Sequence, residues 1–214
     1  PKTETRVYEF PILDFPYNNG RAPSMHQSLK VSTDFYLAAH NYMLDKLIGD
    51  TPIESGQRIS ILPIVLFDVA SLWLPFGSTW MHEEWHRASI GQRGINSTNN
   101  IYRFDTSTTV NDTDIQNLKT NHPQDLVRAL SAGLESAYEL NLELEKHAFF
   151  NNHHPIVSIP LHLNVLNNIS YMHICTTNNG AGGDCTMWVY ELFRPAAPTY
   201  QDTTTLTGEE QRYL

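Results

Sequence analysis

Residues 82–86 read His-Glu-Glu-Trp-His, and this run limits the fold more than any other stretch of the chain. Positions four apart lie on one face of an α-helix, so His82 and His86 can grip one metal ion only if this segment is helical. The carboxylate of Glu83, beside the first imidazole, then reaches a water on that ion and is the candidate catalytic base. Two imidazoles do not complete such a site. A catalytic zinc needs a third protein ligand and keeps a fourth position open, so a second element carrying a ligand must pack against the motif helix.

The flanking sequence supplies the helices. TWMHEEWHRASIGQRG follows Gly77 and Ser78 and meets a stop at Gly91 or Gly94. A second long helix is predicted from Pro123, whose fixed φ suits a first helical position, to about Phe150, with Leu126, Leu130, Leu134, Tyr138 and Leu142 as its core stripe. Within it, SAGLESAYEL places Glu135 and Glu139 four apart on one face. Upstream, Ser32 to Ile48 has helical spacing with Ser32 as a possible cap, and residues 1–24, with Pro11, Pro16 and Pro23 among them, suit an extended arm.

Ile61 to Phe76 is the most apolar stretch and carries Asp68, costly in lipid without a partner. It is shorter than the roughly 20 residues that span a bilayer. A buried core helix is the first expectation, and membrane contact through residues 61–76 the second. Residues 95–121 are rich in Asn, Thr, Ser and Asp and could border a cleft. YMHIC and CTMWVYELF alternate well enough to suggest two strands of a small C-terminal β-hairpin, joined by a disulfide between Cys175 and Cys185. Such a bond would favour a non-cytosolic setting: secreted, periplasmic or membrane-associated.

A chain of 214 residues, 41% hydrophobic and 17% charged, suits one domain with a real core, here expected over 1–195, with 196–214 as a linker or tail. A formal charge of −9 with 14 scattered Lys and Arg excludes a nucleic-acid surface.

With a later helix bearing Glu135, the His82–His86 motif resembles that of the gluzincins, the thermolysin-like zinc metallopeptidases. The likeness covers roughly residues 78–94 and 123–150. It implies a mainly α (α+β) fold in which a zincin-like active-site helix packs on a second long helix. It also implies Zn2+ held by His82, His86 and Glu135, and hydrolysis of a peptide or protein substrate with Glu83 as base. Glu139 takes the position of a carboxylate, usually Asp, that orients a ligand imidazole. No residue clearly matches the family's transition-state donor; Tyr102, Tyr138, His147, His153 and His154 are possible. Two other classes compete. A carboxylate-bridged di-iron protein could use Glu83 and His86 as Glu-x-x-His, but no second copy of that motif occurs. A non-catalytic metallopeptidase-like interaction domain or membrane-associated module could keep the fold without the chemistry.

Overall fold

The motif does fall on a helix, and its neighbours are helices too. A computed structural model describes residues 23–49, 58–103, 105, 107–151, 159–177, 183–197, 200 and 206–213. Along the chain these form α1 (Met25–Leu47), α2 (Arg58–Ser71), α3 (Ser78–Gly91), β1 (Ser97–Asn99), β2 (Thr108–Val110), α4 (Asp112–Asn121), α5 (Pro123–Asn151), α6 (Ile159–Thr177) and α7 (Asp184–Phe193). The fold is mainly helical, and α3 and α5 form its central pair. Residues 1–22, His153 and His154 lie outside the described residues.

Helix α5 starts at Pro123, as its sequence suggests, and buries Leu126 and Leu130 of the expected stripe, with Leu134 and Leu142 half-buried, but turns Tyr138 outward. Leu126, Ala129, Leu130, Ala132, Ser136, Leu140 and Leu144 point inward, while Tyr138 is 62% exposed. Small residues in the middle of that face decide the rotation, because they let α3 approach where Leu134 or Tyr138 would hold it off. Trp80, Met81 and Trp85 of α3 fill the resulting core with Leu29, Tyr36 and Leu37 of α1. Helix α1 begins earlier than Ser32, which is buried inside it. Ser24 and Gln27 form a reciprocal capping box: Gln27 N–H donates to Ser24 Oγ at 3.2 Å and Ser24 N–H to Gln27 Oε1 at 2.9 Å.

The expected C-terminal hairpin is replaced by the helices α6 and α7, with the Cys175–Cys185 disulfide joining the end of one to the start of the other. Its two Cα atoms are 6.2 Å apart. Short apolar runs do not separate a period of 2 from one of 3.6. In α7 the adjacent pair Val189 and Tyr190 is buried together with Cys185 and Thr186, which a one-faced strand could not achieve. The antiparallel sheet lies instead between the two motif-region helices, pairing Ser97 with Val110 and Asn99 with Thr108. Asn99 Nδ2 anchors it to α3 by donating to Trp80 O at 3.0 Å and to Glu84 Oε1 at 2.9 Å. The segment read as a C-terminal tail also packs where it is described: Leu206 is buried against Val189 and Tyr190, and Arg194 pairs with Glu210 at 2.7 Å.

Helix α2 resolves the cost of Asp68 in an apolar run. His40 Nδ1 of α1 lies 2.9 and 3.0 Å from its two carboxylate oxygens, and both side chains are fully buried. Among the described residues no helix is long and apolar enough to cross a membrane. Removing one partner of a buried pair strands the other. Asp68→Ala is therefore expected to destabilise the fold by about 3–5 kcal/mol, and a His40→Leu/Asp68→Leu pair by clearly less, as read from urea unfolding midpoints.

Candidate metal centre

Helix α3 presents both motif imidazoles toward α5 and the start of α7. His82 Nε2 and His86 Nε2 are 3.1 Å apart, and the Oδ2 of Asp184 lies 2.7 Å from the first and 3.2 Å from the second. A tetrahedral zinc with bonds of about 2.0–2.1 Å separates its ligand atoms by about 3.3 Å, so the three donors already stand close to that spacing. Two imidazole lone pairs at this distance repel unless a proton on one ring or a metal ion lies between them. A proton or a metal ion must therefore occupy the group. These three residues could hold a metal ion.

The orientation of His86 is fixed from behind. Its Nδ1 lies 2.6 Å from the carbonyl oxygen of Ala129 on α5; a carbonyl only accepts, so Nδ1 carries the proton and Nε2 is left for the ion. Helix α5 can come this close because residue 133 is glycine. A Cβ there would lie 2.4 Å from His82 Nε2 and 2.5 Å from His86 Nε2, inside the space that the ion needs.

Asp184 is the first residue of α7, after Gly183 at the cap position, where the helix dipole favours a negative charge. Burial pushes its carboxyl up, but the charge on His86 and hydrogen bonds from His82 and His86 outweigh this and hold it well below the usual range. For His86, burial favours the neutral ring, but the Asp184 carboxylate overcomes it and the pKa is pushed up to about 9. Tyr171 of α6 donates to Asp184 Oδ2 at 2.9 Å and stands edge-on to the His82 ring, 5.8 Å between centroids. Burial, then the Asp184 charge, raises its hydroxyl pKa, so it stays protonated.

Glu135 does not join this group. It is two residues beyond Gly133, a rotation of about 200° around the helix, and its exposed carboxylate takes Arg128 Nη1 at 2.6 Å and Ser131 Oγ at 3.0 Å. Asp184 occupies the place expected for it. Nor does Glu139 touch a ligand imidazole: the rear partner of His86 is Ala129 O. Glu83 is buried and lines the cleft, and Thr108 Oγ1 donates to its backbone oxygen at 3.1 Å. The next residue, Glu84, is structural, buried and bonded to Arg87 Nη1 at 2.6 and 2.8 Å. The cleft has a volume of about 1060 Å³, and Ser107, Thr108 and Thr109 from the Asn/Thr-rich segment form part of its wall.

Sequence reasoning missed Asp184 and Tyr171. The one signal for Asp184 was its place directly before Cys185, since a bridged cysteine fixes its neighbour. No family model matches the chain, and no curated protein or solved structure matches it.

Two outcomes follow from this geometry. Alanine at 133 gains about 1 kcal/mol of helix propensity and costs about 1–3 kcal/mol through overpacking, so the fold should lose at most about 2 kcal/mol. The damage falls on the site, and Gly133→Ala should weaken metal binding by at least about tenfold in a competition titration. The second outcome concerns pH. His86 titrates at 6.5 when unperturbed and near 9 in the metal-free fold, so the stability from its pairing is complete below 6.5 and is lost as pH rises through 9. Metal-free protein in chelator should lose stability over that interval in urea titrations. The extra stabilisation conferred by added zinc should grow over the same interval, because protons compete with the metal for the imidazoles.

Proposed function

We propose that the protein is a zinc-dependent hydrolase of peptide bonds, with His82, His86 and Asp184 as metal ligands and Glu83 as general base. The observation that carries this reading is the convergence of three donor atoms, two imidazole nitrogens and a carboxylate oxygen, at the wall of a cleft that Glu83 also lines. An N,N,O donor set with an open side suits catalytic zinc. When bound, zinc would polarise a substrate carbonyl and make water acidic enough to ionise near neutral pH.

The remaining work falls to the chain's own groups. Glu83 takes a proton from the attacking water and returns it to the leaving amine. The carbonyl of Ala129 holds His86 in the tautomer that leaves Nε2 available, and Tyr171 holds Asp184 from the cleft side. Among the described residues no Lys or Arg lines the cleft. A free carboxylate end or a phosphate therefore meets no counter-charge, which favours bonds within a chain over its C-terminal residue.

What remains of the likeness to gluzincins is the H-E-x-x-H helix. The carboxylate ligand comes from the N-terminus of a third helix instead of from Glu135, and it is Asp. A di-iron reading loses support because Glu135 lies away from the imidazoles, and one converging His/acid group is found among the described residues. An interaction domain with a retained metal is the alternative that the experiment must separate.

Metal content by elemental mass spectrometry is the test. About one zinc per chain is expected, lost in Asp184→Ala and in a His82→Ala/His86→Ala variant and retained in Glu135→Gln and Glu83→Gln. Hydrolysis of a peptide library should fall by about 10²–10⁴-fold in Glu83→Gln at full metal loading. Zinc retained in Asp184→Ala and lost in Glu135→Gln would overturn the ligand assignment. A loaded chain that cleaves nothing would overturn the hydrolase and favour the interaction domain.

A further inference from the structure

Charge is distributed unevenly in this acidic chain. Between Lys146 and Asp184 the sequence contains no Asp, Glu, Lys or Arg, and from Ile59 through His82 the one such residue is Asp68, buried against His40. These two stretches form α2 and α6, which pack against each other. Apart from His162, Ser170 and His173 on α6, the exposed side chains of this surface are largely apolar. On α2 and the turn after it, Leu62, Leu66 and Trp73 are 58%, 60% and 51% exposed, at positions that follow one helical stripe. On α6, Leu166, Ile169 and Met172 are 59%, 60% and 37% exposed at spacings of three.

Helix α2 is thus apolar on both sides: Ile64 is fully buried and Phe67 packs on the core, while Leu62 and Leu66 face outward. A helix that is hydrophobic all round does not rest against water. Trp73 and Met172, one from each side of this face, also line the cleft that holds the metal ligands. The apolar surface therefore runs to the mouth of the site.

We propose that α2 and α6 form a docking face for the surface of an electrically neutral lipid bilayer, and that substrate enters the cleft from that surface. Charge decides among occupants. A protein of net charge −9 is repelled by anionic lipid and would need basic residues to hold it, and among the described side chains of this face there is no Lys or Arg. A face stripped of both signs matches an uncharged phase, whereas protein interfaces usually keep a polar rim with charges. Trp73 beside the cleft mouth suits the headgroup level, where an amphipathic indole is favoured. Delivery of substrate from the bilayer rests on the hydrolase reading; docking of the face does not.

The experiment is co-sedimentation of the intact chain with phosphatidylcholine vesicles, with quenching of tryptophan emission by brominated phosphatidylcholine as the positional readout. Binding is expected, with Leu66→Glu and Ile169→Glu each lowering the partition coefficient roughly tenfold. Leu192→Glu, which adds the same charge at an exposed apolar position on α7, should leave binding unchanged. Trp73→Phe should remove most of the quenching. Vesicles containing phosphatidylglycerol should bind no better at low salt.

Failure to bind phosphatidylcholine, equal loss in Leu192→Glu, or tighter binding to anionic vesicles would overturn the proposal. So would a concentration-dependent dimer abolished by Leu66→Glu, which would assign the face to a second copy. Zinc content measured in the same variants keeps the two readings apart. Loss of docking at full zinc content falls on this proposal alone, and loss of zinc with docking intact falls on the metal site alone.

Discussion

The approach of α5 to α3 at Gly133 is the constraint on which the rest of the structure depends. With no side chain at that point, the Ala129 carbonyl reaches His86 and the two imidazole nitrogens keep the room that an ion requires. The same contact sets the rotation of α5, and so determines which of its residues enter the core and which face water. Ala132, Ser136 and Leu140 are buried as a consequence, while Glu135 is turned to the surface. One backbone approach therefore shapes the site and removes the most obvious ligand from it.

That outcome marks the limit of what local pattern reveals. The motif helix, the start of α5 at Pro123 and the apolar character of α2 were legible because each rests on residues a few positions apart. The pairing of Asp68 was not, since its partner His40 lies in another helix, although the need for a partner could be stated. Glu135 and Glu139 share a face, as their spacing requires. Spacing fixes which residues lie together on a helix but not where that face points, which depends on what packs against it at Gly133.

The C-terminal third shows a different limit. Alternation over a few residues suggested strands at YMHIC and CTMWVYELF, whereas the full windows close as helices. The disulfide pairing survives this change because it depends on which segments meet, not on their secondary structure. The third ligand was illegible for a related reason. Asp184 comes 98 positions after His86, and nothing in the intervening sequence signals that the two converge. The tie lies at the junction of α6 and α7, where Cys175 and Cys185 hold the ends together and Tyr171 approaches Asp184 from one side.

The position of that disulfide distinguishes one donor of the metal group from the other two. The two imidazoles belong to a helix whose packing needs no oxidation, so they are in place as soon as the core forms. Asp184 is held by His82, His86 and Tyr171 and by the buried face of α7, and its neighbour Cys185 adds a covalent tie to the end of α6. Opening the bond would leave those contacts to hold the junction of α6 and α7 without a covalent limit on their separation. The bond therefore works as a tether that limits how far one donor can move from the other two.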